Sequence, residues 1–170
     1  MVLDRNKIIL STVVLAIIVG LFVWERMPSD LQKITVFNKQ LLAVNAPLDA
    51  GVTRFSNSYK IAMKTDATTA VYFDALSLNL AAKQALAQSR VSLTIPHLRN
   101  KTAQADIQHA HDFFVQYVLA IESVSQSVIT ITKQNGFMAK FPPIAMPSTN
   151  DVSVSLAHAY AALKAPHKIA

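Results

Sequence analysis

A run of apolar residues without a single charge extends from Ile8 to Trp24, close to the start of the chain. A helix rises 1.5 Å per residue, so the run spans about 25 Å, near the roughly 30 Å thickness of a bilayer's hydrocarbon core. The pattern therefore predicts one N-terminal transmembrane helix. It divides the chain into a tail and anchor at 1–27 and a soluble helical-bundle domain at 28–170.

A cleaved signal peptide is the alternative reading of this segment. The apolar run is longer than the usual 7–15 residues, and no small-residue cleavage site follows it before Pro28. We therefore expect an uncleaved anchor. The basic residues favour a cytoplasmic N-terminus, although only slightly. An anchor with only a short segment before it usually has the same orientation, with the long domain outside. The expected location is a membrane, single-pass, in a bacterial inner membrane with the C-terminal domain extracytoplasmic.

Beyond the anchor, apolar residues recur at helical spacing. Ser29 is a plausible N-cap for a first helix. Its expected core face is Leu31, Ile34, Phe37, Leu41 and Val44. We expect Pro47 to end this segment and to open the next, because proline breaks helix interiors. The second segment continues the period with Val52, Phe55, Tyr59 and Met63.

A third helical segment is expected from about Asp66 to about Val91. No proline interrupts 48–91, so one long helix over that range is the alternative. The large apolar residues of the third segment predict its core face, which would consist of Phe73, Leu76 and Leu80, helped by Ala87. A connection containing Pro96 follows this segment.

The clearest periodicity lies in the second half of the chain. One set of apolar residues repeats every seven positions: Ile107, Phe114, Ile121 and Val128. A companion set consists of Ala110, Tyr117, Val124 and Ile131. This a/d pattern predicts a helix from about Thr102 to Gln134, with Gly136 as its C-cap. The β-branched run 128–132 favours a strand locally, so a sheet remains the weaker alternative.

Prolines interrupt the segment 137–147, which cannot continue the helix. A last helix is expected after it, capped within 148–151 and stopped by Pro166. Its core face would be Val152, Leu156, Tyr160 and Leu163. The predicted fold class is mostly α: an N-terminal single transmembrane helix followed by an antiparallel bundle of about four helices.

Composition removes several kinds of chemistry. The 170 residues contain no cysteine and three glycines, which excludes disulfides, thiolate metal sites and glycine-rich phosphate loops. The net charge of +6 is scattered along the chain, whereas nucleic-acid binders usually carry a basic stripe. We therefore expect no nucleic-acid partner, and we expect contact with the lipid bilayer.

A small group of ionisable residues, Asp106, His109, His111 and Asp112, is the best candidate for a metal site. A zinc-binding helix places histidines at i and i+4, but His109 and His111 are two apart and point away from each other. We therefore expect no catalytic residue, no cofactor and no metal, and we expect that the protein is not an enzyme. A small metal- or haem-binding protein that uses these histidines or His158 is the alternative.

One segment differs from an ordinary surface loop. The proline strip, which consists of Phe141, Pro142, Pro143, Ile144 and Met146, is stiff and apolar. Such a strip either docks into a partner or covers the end of a bundle. The anchor, the long helix with its regular apolar seam and the lack of catalytic motifs together predict a membrane-anchored scaffold or accessory subunit that contacts other subunits of an envelope complex. An extracytoplasmic sensory or ligand-binding bundle is the alternative.

Overall fold

A computed structural model describes residues 28–65 and 68–164, which form four α-helices and no β-strand. The helices are α1 (Asp30–Ala62), α2 (Thr68–Ser92), α3 (Lys101–Asn135) and α4 (Asn150–Lys164), with a 3-10 turn at Gly136–Met138. The mostly helical fold class is confirmed, and the run 128–132 is part of α3. The predicted anchor and Pro166 lie outside the described residues.

The four helices form an antiparallel bundle. Each helix packs against the next along the chain, and α4 also contacts α1. The Asn100 side chain donates a hydrogen bond to the Ala162 carbonyl at 3.1 Å, which places the end of α4 beside the start of α3. Lys33 near the start of α1 donates to the His97 carbonyl at 2.8 Å. These contacts define a proximal end, which also carries residue 28, and an opposite distal end.

The first helix is longer than the sequence pattern predicts. Ser29 caps it as expected, in a reciprocal pair of hydrogen bonds with Gln32. Pro47 does not end the segment, so that prediction was wrong: α1 runs through it as 33 continuous residues. A proline inside a helix removes one backbone hydrogen bond, but burial of Val44 and Leu48 on either side stabilises the continuous form.

The first helix ends at Ala62 and the second begins at Thr68, so the alternative of a single helix over 48–91 is wrong. Helix α2 ends at Ser92, close to the predicted Val91. The predicted core face of α2 is also wrong. Phe73, Leu76, Leu80 and Ala87 are exposed. The buried positions carry mostly small side chains instead: Thr68, Val71, Ala75, Leu78, Asn79, Ala82, Ala85 and Ser89.

Small residues on the buried face let α2 approach its neighbours closely. Opposite α2, Gly51 of α1 leaves so little room that an added Cβ atom would lie 3.1 Å from the Leu78 Cδ1 atom. Large side chains at Ala75 or Ala82 would hold the helices apart, since helix separation depends on the side chains at the contact. Phe73, Leu76 and Leu80 therefore lie on the outside, while Leu78 and Val71 are the larger residues that α2 buries.

The third helix follows its prediction closely. It spans Lys101–Asn135 and ends at Gly136, whose φ of 72° lies in the left-handed region that suits glycine. All four residues of the main heptad set are buried. In the second half the companion set shifts by one residue, so that Ser125 and Thr132 are buried while Val124 and Ile131 are only half-buried. A straight helix has 3.6 residues per turn and drifts from a seven-residue repeat in this way.

The fourth side of the bundle is only partly helical. The 15 residues of α4 extend for about 22 Å, whereas the 35 residues of α3 extend for about 52 Å. Val152 and Leu156 are buried, while Tyr160 and Leu163 are half-buried against the core, as predicted for the face of this helix. The proline strip packs against α1 near the distal end, where α4 does not reach.

Candidate docking surfaces

The proline strip is held in place by aromatic contacts at the distal end. Phe141 is buried, and its ring centroid lies 6.0 Å from that of Tyr59 on α1. The Tyr59 hydroxyl donates a hydrogen bond to the Pro142 carbonyl. Burial raises the pKa of the Tyr59 phenol, so the hydroxyl keeps its proton and remains a donor.

The structure divides the strip between core and surface. Phe141 belongs to the core, and Ile144 and Met146 are half-buried against it. Pro142 and Pro143 are exposed. The strip thus covers this part of the bundle, while its use as a docking site for a partner stays a prediction.

A groove of about 490 Å³ lies between the strip and the last two turns of α1. This distal groove is lined by Ser56, Tyr59, Lys60, Met63 and Lys64 from α1 and its end, and by Pro143, Ile144 and Met146 from the strip. Its walls are mostly apolar, and two exposed lysines stand at its edge. Met63 is 48% exposed, although the helical period placed it on the core face.

Sequence reasoning missed the α1 side of this groove. Pairing the strip with Tyr59 requires a contact across 83 positions of sequence, which local periodicity does not report. Lys60 and Lys64 are four positions apart in the sequence, a spacing that places two side chains on the same side of a helical turn, next to Met63. That spacing was the one available signal for a basic edge.

A second unusual surface is the outer face of α2. Along its centre the exposed residues are uncharged: Phe73, Ser77, Leu80, Gln84, Ala87 and Val91. Along one edge, Leu76 is followed by the exposed cations Lys83 and Arg90. Phe73 is 59% exposed and Leu80 is 58% exposed. At the distal end the face continues into the Tyr72 and Phe137 rings, which meet edge to face with centroids 5.6 Å apart. Several large apolar residues exposed side by side are typical of an interaction site.

The histidine group remains a surface feature within the described part of the chain. His111 Nδ1 lies 3.2 Å from Asp112 Oδ1, and this hydrogen bond lowers the pKa of the Asp112 carboxyl. His109 is exposed, and its ring contacts Phe113 instead. Among residues 28–65 and 68–164 no three histidine or carboxylate side chains come together as metal ligands would.

Polar contacts also cross the buried interface of α2 and α3. The Asn79 side chain donates to Ser125 Oγ at 3.2 Å and to the Glu122 carbonyl at 3.4 Å. Further along α3, burial raises the pKa of the Tyr117 phenol to about 12, and the carboxylate of Asp49 contributes. Asn79 and Ser125 are buried between the two helices, so their hydrogen bond favours one register of α2 against α3, whereas Asp49 is exposed.

Within the described residues, one helix is long and apolar enough to cross a bilayer, and it is α3. Core helices of soluble bundles also satisfy this criterion, and α3 packs against both α2 and α4. No protein family, curated protein or solved structure matches this chain. Its surfaces are therefore the basis for any inference about function.

Proposed function

We propose that the protein is a membrane-anchored, non-catalytic interaction subunit of a membrane protein complex, and that a partner protein binds in the distal groove. The groove is the observation that carries the proposal. It combines an apolar lining, which includes Tyr59, Met63 and Ile144, with the exposed cations Lys60 and Lys64. Recognition sites for peptides and helices commonly combine apolar pockets with charges at their rim.

The position of the groove supports an anchored role. The uncharged run from Ile8 to Trp24 precedes α1 and therefore joins the bundle at its proximal end. The groove begins at Ser56, about 40 Å along α1 from Asp30. An anchor at one end thus presents the groove well away from the bilayer, where the extracytoplasmic part of a neighbouring subunit can reach it.

The chemistry of the groove defines the expected partner. Lys60 and Lys64 at its edge favour a segment with carboxylates, while Met63 and Met146 favour apolar side chains of varied shape. We therefore expect an amphipathic, acidic segment of another subunit. Such a segment would match the charge of this basic chain, whose net charge is +6.

The proposal is tested by two glutamate variants in the full-length protein. Met63→Glu places a negative charge on the wall of the groove. Ile61→Glu is the matched control, since Ile61 in the last turn of α1 is 57% exposed, close to the 48% of Met63, but does not line the groove. The proteins are purified in mild detergent from their own membranes, and the amount of each co-purifying subunit is measured by quantitative mass spectrometry.

We expect a defined partner to co-purify in a fixed ratio with the unmodified chain and with Ile61→Glu. Met63→Glu should reduce that ratio at least tenfold while leaving the thermal midpoint of the bundle unchanged. Equal recovery with both variants would contradict the docking role of the groove. Recovery of the protein alone, with a small ligand or a metal ion bound, would favour the sensory or histidine-dependent alternatives instead.

A further inference from the structure

The outer face of α2 has the spacing of a coiled-coil seam. Six of its residues alternate at intervals of four and three: Phe73, Ser77, Leu80, Gln84, Ala87 and Val91. This spacing is what two supercoiled helices need to keep contact along their length. The seam extends for about 27 Å, yet no element of the described chain packs on it.

We propose that the outer face of α2 pairs with the same face of a second copy of this chain, with the two α2 helices parallel and in register. The orientation rests on the proposed function, because an N-terminal anchor gives every copy the same direction relative to the bilayer. Two copies in one membrane are then related by a two-fold axis along the membrane normal. Such an axis makes the paired helices parallel and sets each seam residue against its own counterpart.

The charge pattern fits self-pairing. A residue that meets its own copy must not be charged, since like charges directly opposite each other repel. None of the six seam residues is charged. Gln84, the longest polar residue of the seam, can both donate and accept hydrogen bonds and so can pair with Gln84 of the second copy. A polar residue at one seam position fixes the register of a coiled coil.

The charged residues beside the seam are also compatible with a parallel pair. In that arrangement each residue that flanks the seam on one edge faces the residue five positions later on the other helix. Thr69 then lies opposite Asp74, and Lys83 lies opposite Gln88, so no like charges meet. The seam positions themselves are uncharged, and the charges that flank them do not repel their counterparts in the second copy.

The first test measures the mass of the full-length protein in mild detergent by native mass spectrometry across a dilution series. Leu80→Lys places a charge at the centre of the seam. Leu42→Lys is the matched control, because Leu42 is 57% exposed on α1, almost the same as Leu80. We expect dimers for the unmodified chain and for Leu42→Lys, and a dissociation constant at least 100-fold higher for Leu80→Lys.

The second test uses the absence of natural cysteine from the chain. Ala87→Cys should form an intermolecular disulfide on mild oxidation, since a parallel pair brings the two copies of this residue together. Ala43→Cys, at an exposed position of α1, is the control and should remain monomeric on a non-reducing gel. A reciprocal link between Ser77→Cys and Ala87→Cys chains, without the self-link, would show an antiparallel pair and overturn the proposal.

The outcomes separate this inference from the proposed function. A monomeric unmodified chain, or a dimer that Leu80→Lys leaves intact, overturns self-pairing even where the partner of the distal groove still co-purifies. Loss of that partner in Met63→Glu, with the dimer intact, supports both the self-pairing of α2 and the docking role of the groove. A dimer without any partner subunit supports self-pairing and contradicts the docking role of the groove.

Discussion

Helices α2 and α3 lie side by side in the bundle, but they place their apolar residues in opposite ways. In α3 the large residues of the main heptad set, such as Ile107 and Phe114, are fully buried. In α2 the buried face carries small residues such as Ala75 and Ala82, while Phe73 is exposed. Most of the large apolar residues of α3 thus belong to the core of the bundle, whereas α2 buries few large residues and exposes Phe73, Leu76 and Leu80.

The largest expected effect comes from truncating a buried ring of α3. Phe114→Ala should lower the free energy of unfolding by about 3–5 kcal/mol, because it leaves a cavity in a packed core. Phe73→Ala on α2 should change it by less than about 0.5 kcal/mol when the protein is diluted to the monomer. Denaturant titration of the full-length protein, followed by circular dichroism, measures both. Equal losses would remove the contrast between the two helices.

Alkaline pH should also lower the free energy of unfolding, because the phenol of Tyr117 is buried on α3. The phenol of Tyr117 has a pKa of about 12 in the folded bundle, against about 10 when exposed. The contribution of the protonated phenol to the free energy of unfolding, on the order of 2 kcal/mol, is fully present below pH 10 and is lost as the pH rises towards 12. Unfolding titrations at several alkaline pH values should show this fall in the unmodified chain and a smaller one in Tyr117→Phe. An identical pH dependence in both would contradict the buried position of this phenol.

Enlarging a small residue should destabilise the bundle on the buried face of α2 but not on its exposed face. Ala82 is fully buried, so Ala82→Leu should overpack the bundle and cost about 1–3 kcal/mol. Ala87 is exposed, and Ala87→Leu should be close to neutral for the monomer. Thermal unfolding of both variants in detergent gives the comparison. A neutral Ala82→Leu would mean that α2 does not approach its neighbours as closely as the structure shows.

The smallest effect is expected at the polar contact between the two helices. Asn79→Ala removes the hydrogen bonds to Ser125 and to the Glu122 carbonyl, and it should cost about 1 kcal/mol. Combining it with Ser125→Ala gives a double-mutant cycle that measures the coupling directly. Costs that simply add would show that the two side chains do not interact.

The sequence alone predicted the parts of the fold that depend on one clear pattern. The long helix α3, its end at Gly136 and the cap at Ser29 all follow from local rules, and each was confirmed. The core face of α2 could not be predicted in the same way, because this helix has two apolar stripes. Side-chain size favoured the stripe with Phe73, whereas close packing between helices selected the stripe with Ala75.

Two other features depend on tertiary contacts. Pro47 lies inside α1 because the burial of residues on both sides outweighs one missing backbone hydrogen bond, which no local rule reports. The distal groove exists because Tyr59 meets Phe141 from a distant part of the chain. The proline strip was recognisable from its composition, but the α1 residues that complete the groove were not.

Native mass spectrometry of the full-length protein, extracted in mild detergent from its own membranes, tests the central claim most directly. The account predicts a defined assembly that contains two copies of this chain and at least one partner subunit. Met63→Glu should lose the partner and keep the second copy, and Leu80→Lys should do the reverse. A protein that leaves the membrane as a single chain without any partner would contradict the account.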